Sequence, residues 1–99
     1  MLKVENLKNK RGYTAPNQFV LTIGETKWFQ SYSSIIARVE PNGVLTLGLH
    51  WDYSKTTSRW LRVFLEQYCH KYSNLTKAQL QKLIDSNEIK YVAEKNFFE

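Results

Sequence analysis

The first half of the chain alternates apolar and polar residues with a period of two, which is typical of β-strands. The alternation covers residues 2–6, 19–23, 27–32, 35–39 and 45–51, with a loop up to Asn17 between the first two segments. Turn-forming residues separate the later segments, at 24–26 and 41–43. Asn42-Gly43 is a strong hairpin signal because these residues adopt positive φ at low cost. We therefore predict consecutive antiparallel hairpins.

The period changes near residue 54, where apolar residues begin to recur every three to four positions. This spacing places five of them on one helical face: Trp60, Leu61, Phe64, Leu65 and Tyr68. We predict a helix over residues 56–71, capped at its N-terminus by Ser54, Thr56 or Thr57.

A second helix and a last strand complete the predicted fold. Thr76 and Gln79 have the spacing of a capping box, and Asn87 can end the helix because asparagine tolerates left-handed backbone. Alternation over residues 89–93 predicts a strand. The chain is thus predicted to be one α+β domain over residues 1–99. It has an antiparallel sheet of four to five strands, two helices packed on one face and a C-terminal strand.

Composition and charge limit the cellular compartment and the kinds of partner that we expect. The 99 residues carry a single cysteine and a net charge of +5. One cysteine excludes an internal disulfide and favours a reducing compartment, and no apolar run is long enough to span a membrane. We expect a cytoplasmic protein without membrane contact. The positive charge favours nucleic acid or an acidic protein surface as partner.

The residues that could support catalysis are few. His50 and Asp52 share a face of the predicted strand, as a general base and its orienter would, or as two solvent-facing residues at a strand end. Cys69 and His70 are adjacent on the predicted helix, so their side chains diverge by about 100°, and Cys69 is expected in the core. No metal-ligand spacing or phosphate loop is present. We expect a non-enzymatic protein with no catalytic residue, metal or cofactor.

Basic residues near aromatic rings indicate a binding surface. Lys55, Arg59 and Arg62 line one side of the first predicted helix, beside Tyr53. A second basic cluster comprises Lys8, Lys10 and Arg11. Such residues suit phosphate contact combined with base stacking. The alternative is a solvated helix face without a partner.

The strand at 27–32 adds aromatic candidates. Trp28 and Tyr32 share one face of this strand, while Phe29 and Ser31 share the other. One face belongs to the core, so the other is expected to expose its rings, and exposed aromatics mark contact surfaces. The candidate binding residues are therefore Lys8, Lys10, Arg11, Trp28, Tyr32, Tyr53, Lys55, Arg59 and Arg62.

Three segments of the chain resemble small uncharacterised proteins of bacteriophages and mobile elements. The segments are Asn17-Gln18-Phe19, then Phe29-Gln30-Ser31-Tyr32 with Ser34-Ile35-Ile36-Ala37, then Trp51-Asp52-Tyr53-Ser54 with Thr56-Thr57-Ser58-Arg59, followed by Phe64-Leu65. The resemblance covers roughly residues 9–65. It implies a phage accessory protein that inhibits a host defence system, as anti-CRISPR proteins do, or a takeover factor that binds host enzymes or nucleic acid.

The implied partner is a host defence protein or ribonucleoprotein in the bacterial cytoplasm. A basic protein cannot mimic acidic DNA. It would instead contact acidic protein surface, guide RNA or DNA, or force its target to dimerise. The alternative function is direct binding of DNA or RNA by a small basic protein. The oligomeric state, monomer or homodimer, is left open by the sequence.

Overall fold

The computed structural model describes residues 1–97, which form one six-stranded sheet and two helices. Neighbouring strands run in the order β1-β2-β3-β4-β5-β6. The first five are antiparallel, and β6 is parallel to β5 because both helices lie in the connection between them. The elements are β1 Leu2–Lys8, β2 Thr14–Ile23, β3 Thr26–Ser31, β4 Ser34–Val39, β5 Leu45–Gly48, α1 Lys55–Tyr68, a 3₁₀ helix His70–Tyr72, α2 Lys77–Asp85 and β6 Lys90–Val92.

The predicted α+β class is confirmed, with differences at the ends of elements. The β2 strand begins at Thr14 instead of after Asn17, since a tight turn replaces most of the predicted loop. The Asn9 side-chain oxygen accepts the backbone N–H groups of Arg11 and Tyr13, at 2.9 and 3.0 Å. Gly12 supplies the positive φ, +82°, that this turn requires.

The prediction that β5 continues to Trp51 is wrong. Phe29 pairs with Ala37 while Gln30 pairs with Ile35, so Ile36 is an extra residue that forms a bulge in β4. Beyond the bulge β5 has no partner in β4, and the Leu49 N–H donates to the Glu94 carbonyl at 3.2 Å. Residues 49–53 consequently form turns that lead into α1.

Helix α1 packs on one face of the sheet and forms the main core. Its predicted apolar face is confirmed, since Trp60, Leu61, Phe64 and Leu65 are all buried. The Phe64 ring stacks on Phe29 of β3, with centroids 5.6 Å apart. The helix ends at Tyr68, earlier than predicted, because the backbone leaves the helical conformation at the next residue.

The N-terminal cap signals in the sequence are also confirmed. Ser54 caps α1 by accepting the Thr57 N–H at 3.1 Å. Thr76 and Gln79 form the complete capping box of α2. Asn87 follows α2 with a φ of +67° and donates its N–H to the Ile84 carbonyl. Across residues 1–97, neither helix is long and apolar enough to cross a membrane.

The second face of the sheet is covered in part by the C-terminal segment. Phe97 is buried in a cluster with Leu21, Trp28 and Ile35. The segment is fixed by the Ile35 N–H, which donates to the Lys95 carbonyl at 3.0 Å. Of the terminal pair Phe97-Phe98, which the sequence leaves free either to dock or to fray, Phe97 is docked, and Phe98 lies outside the described residues. The sheet therefore buries apolar side chains on both faces.

Gly48 of β5 lies directly against the C-terminal segment. A Cβ added there would lie 2.4 Å from the Phe97 ring and 2.6 Å from the Ile35 carbonyl oxygen. We expect Gly48→Ala to lower the free energy of unfolding by about 1–3 kcal/mol, as overpacking does. Urea unfolding is the measurement.

Phe97→Ala provides the control for this prediction. The double variant Gly48→Ala with Phe97→Ala should lose less than the sum of the two single losses, because the ring contact is then absent. An unchanged urea midpoint for Gly48→Ala would show that the segment does not pack here.

Candidate functional site

The three segments that carry the sequence resemblance meet at one end of the sheet. The Asn17 carbonyl accepts the Tyr32 N–H at 2.7 Å, which joins the first segment to the second. Ser34 Oγ lies 3.5 Å from His50 Nδ1. The His50 ring in turn lies against Tyr53, with centroids 5.0 Å apart. Residues that are far apart in sequence thus form one polar surface.

The β3–β4 turn presents Tyr32 to solvent. Tyr32 has a φ of +54°, an uncommon backbone conformation for a residue other than glycine. Its carbonyl accepts the Gln30 side-chain amide at 2.7 Å, which together with its own N–H bond holds this conformation. The Tyr32 side chain is 59% exposed and that of Tyr53 is 74% exposed. Two aromatic rings are therefore accessible at this end of the molecule.

A pocket of about 200 Å³ opens between the two tyrosines. Serine, threonine and tyrosine residues dominate its lining, together with one histidine and one lysine. Among the described residues 1–97, no carboxylate-bearing residue lines it. The lining residues are Ser31, Tyr32, Ser33, Ser34, Ile36, His50, Tyr53, Thr57 and Lys95.

The outer face of α1 carries a row of positive charge that begins beside Tyr53. Lys55, Arg59 and Arg62 are exposed and lie within about 60° of one another around the helix axis. They are opposite the buried face of the helix. Within residues 1–97 none of the three forms an ion pair. Their charges are therefore available to a partner.

The β1–β2 hairpin extends this row past the middle of α1. Lys10 Nζ lies 3.7 Å from Glu66, one turn beyond Arg62, and its side chain is 87% exposed. The Gln67 side chain donates to the Lys8 carbonyl and fixes the hairpin against the helix. We name the row formed by Lys55, Arg59, Arg62 and Lys10 the basic ridge. Lys8 and Arg11 are exposed on the hairpin beside it.

Trp28 is not part of this surface. Its side chain is 7% exposed and lies in the cluster that contains Phe97. The expectation that one aromatic face of β3 is open to solvent is wrong for Trp28, because the C-terminal segment covers that face. Tyr32 remains exposed because it lies in the turn, beyond the end of β3.

The pairing of His50 with Asp52 on a strand face is also wrong, because β5 ends before both residues. His50 lines the pocket, whereas Asp52 is exposed and does not. Cys69 is buried in the main core, as expected. Burial raises the pKa of the Cys69 thiol, and the nearby Lys71 lowers it to a smaller extent. The thiol is thus held in its neutral, less nucleophilic form.

Several pocket residues were not among the candidate binding residues: Ser31, Ser34, Thr57, Lys95 and also His50, which the sequence indicated only as a candidate general base. For Ser31, Ser34 and Thr57, the available signal was the density of hydroxyl residues in segments 28–37 and 51–60. No local sequence pattern indicated Lys95, because it is brought to the pocket by the hydrogen bond that the Ile35 N–H donates to its carbonyl.

Comparison with known protein families gives one match. The model of the Family of unknown function (DUF8033) matches residues 2–82. The chain belongs to this family. DUF8033 membership confirms the resemblance to uncharacterised proteins, and the match extends beyond residues 9–65 in both directions. No curated protein and no solved structure matches the chain.

Proposed function

We propose that this DUF8033 protein is a non-enzymatic binding protein whose basic ridge contacts a nucleic-acid strand, free or within a ribonucleoprotein. The observation that carries the proposal is the continuity of the ridge with two exposed tyrosines. Lys55 follows Tyr53 by two residues, and the ridge then runs along α1 to Lys10. Positive groups beside open aromatic rings match the combination that binds unpaired nucleotides.

The dimensions of the ridge favour several simultaneous phosphate contacts. From Lys55 to Arg62 the helix rises about 10 Å. Lys10, whose charge is partly offset by its ion pair with Glu66, lies a further turn on. A strand placed along α1 can therefore contact the ridge over its length, with bases directed towards Tyr53 and Tyr32. An acidic protein surface would use the same charges but would not require the exposed rings.

The salt dependence of binding tests the ridge. Each neutralised phosphate on a single strand contributes about 0.7 to the slope of log affinity against log salt. We expect Arg59→Ala with Arg62→Ala to reduce this slope by about 1 to 1.5 and to weaken all sequences similarly. Fluorescence anisotropy with single- and double-stranded DNA and RNA, each at two salt concentrations, measures both effects.

The matched control is Lys82→Ala with Lys90→Ala. It removes the same charge from exposed positions on α2 and β6. If both double variants change the slope equally, the effect is one of net charge and the ridge is not the site. Absence of binding by the parent protein at low salt would exclude nucleic acid as the partner. The ridge would then be either a solvated surface or a contact for an acidic protein.

Inhibition of a bacterial defence system, with CRISPR–Cas as one target, is the biological role we propose on the basis of the sequence resemblance. A ridge that contacts guide RNA or target DNA within a Cas complex supplies a physical route to such inhibition. In cells with an active CRISPR–Cas system, expression of the protein should restore transformation by a targeted plasmid. The ridge variant Arg59→Ala with Arg62→Ala should restore it less.

A non-targeted plasmid controls for general effects on transformation. Equal loss of the targeted plasmid with and without the protein contradicts CRISPR inhibition in the system tested. Recovery of no nuclease, Cas protein or other defence component in a pull-down from bacterial lysate would argue against the wider role.

A further inference from the structure

The β1 strand leaves one edge of the sheet open. It is the first strand in the order of neighbours, so it pairs with β2 on one side only. The pairing is regular from Leu2 to Asn6, and every side chain in this stretch is exposed. Within residues 1–97, the backbone of this stretch has no hydrogen bonds other than those with β2. The backbone groups that point outward from β1 are therefore available to another strand.

The opposite edge of the sheet is less suited to such an addition. It is formed by β6, Lys90–Val92, which has only 3 residues and begins with a lysine. Short edge strands that carry lysine are a common protection against further pairing. On β1, by contrast, Leu2 is 48% exposed and Val4 is 55% exposed. A longer open edge with exposed apolar side chains is where an extended segment adds to a sheet.

The two faces of β1 carry different side chains. Val4 lies opposite Leu21, on the face that the C-terminal segment covers in part, and Leu2 shares that face. Lys3 and Glu5 are on the other face, which is the side of α1. Their charged groups lie 3.5 Å apart. A partner strand must therefore match an apolar pair on one face and two opposite charges on the other.

A second copy of β1 meets both requirements. Antiparallel pairing about a two-fold axis at Val4 places Lys3 of each copy opposite Glu5 of the other copy. Each lysine then lies near a glutamate of its own strand and near one across the axis. On the apolar face the two valines are directly opposite, and each Leu2 is diagonal to the valine of the other copy. Cross-strand pairs of both kinds stabilise antiparallel strands.

Symmetry and charge together select this register. Residues that are opposite in an antiparallel pair share a face, so the two-fold axis must pass through a residue paired with itself. An axis at Lys3 would place two lysines opposite each other, and an axis at Glu5 would do the same with two glutamates. Within Leu2–Asn6, only the axis at Val4 brings opposite charges together. A contact of this kind is isologous and is complete with two copies.

We propose that β1 is a homodimer interface, at which two copies pair antiparallel about Val4 and join their sheets into one. The axis is perpendicular to the sheet, so the two α1 helices lie on the same side of the joined sheet. A single pair of short strands buries little surface, so the dimer is weak and dissociates on dilution. The basic ridge takes no part in the contact, and the proposal therefore stands or fails separately from the proposed function.

Sedimentation equilibrium at low salt tests self-association. We expect one monomer–dimer equilibrium at protein concentrations between about 10 μM and 1 mM, the range of a small interface. Lys3→Glu and Glu5→Lys each place like charges opposite each other at both ends of the contact, so each should weaken the dimer about tenfold. A parent protein that stays monomeric at the highest concentration, or that forms assemblies larger than a dimer, overturns the proposal.

Mixing the two variants tests the register. Lys3→Glu has two acidic residues on this face of β1 and Glu5→Lys has two basic ones, so an equal mixture should form a heterodimer at least as tight as the parent dimer. The double variant Lys3→Glu with Glu5→Lys should self-associate within about threefold of the parent, because the opposite charges again face each other. The substitutions are at exposed positions, so the variants keep the fold.

The matched controls are Lys90→Glu and Asp52→Lys, which make the same changes of charge at exposed positions away from β1. Each should self-associate within about twofold of the parent. If these controls weaken the dimer as much as the β1 variants do, the effect is one of net charge and the proposed register is wrong. Failure of the mixed β1 variants to associate has the same meaning.

Amide hydrogen exchange shows which strand forms the contact. Every second N–H of an edge strand points outward, so alternate amides between Leu2 and Asn6 should exchange more slowly at high protein concentration than at low concentration. Their exchange rates should fall in proportion to the fraction of monomer. The amides of Lys90–Val92 should not change. Concentration-dependent protection at β6, or around Tyr32 and Tyr53 in place of β1, would contradict the proposal.

Discussion

The packing of α1 against the sheet is the interaction on which the rest of the structure depends. Trp60, Leu61, Phe64 and Leu65 must all face the sheet to complete the main core. Because a helix repeats every 3.6 residues, this requirement fixes the opposite side of α1 as well. Arg59 and Arg62 are therefore directed to solvent by the same geometry that buries Phe64. The packing of the core therefore also fixes the position of the basic ridge.

The polar end of the sheet depends on the irregularities of two strands. The bulge at Ile36 ends the pairing of β5 with β4, and the chain then turns through His50 and Tyr53 into the cap of α1. The left-handed backbone of Tyr32 is held by two hydrogen bonds: its N–H donates to the Asn17 carbonyl, and its carbonyl accepts the Gln30 side-chain amide. Such uncommon conformations persist only where the surroundings determine them, and they are frequent at binding sites. The three segments that carry the sequence resemblance therefore come together through strand ends and not through regular strand pairing.

Local patterns were sufficient to predict what depends on local interactions. The spacing of Trp60, Phe64 and their neighbours gave the buried face of α1, and with it the exposed side at Arg59. The capping box at Thr76 and the turn at Gly43 were predictable for the same reason. The burial of Trp28 was not, because it results from Phe97, which is distant in sequence. Likewise, the end of β5 depends on a bulge in another strand, and the pocket includes Lys95 from the far end of the chain.

We propose that the tyrosines and the basic ridge act as one surface for a nucleic-acid strand. The most direct test is an NMR titration of the protein with a short single-stranded oligonucleotide. Stacked bases should shift the ring signals of Tyr32 and Tyr53, and the amides of α1 from Lys55 to Arg62 should shift along with them. The exposed ring of Tyr91, on β6, should not respond. Perturbations confined to the opposite face of the sheet, near Leu2 and Val4, or no perturbation at all, would contradict the claim.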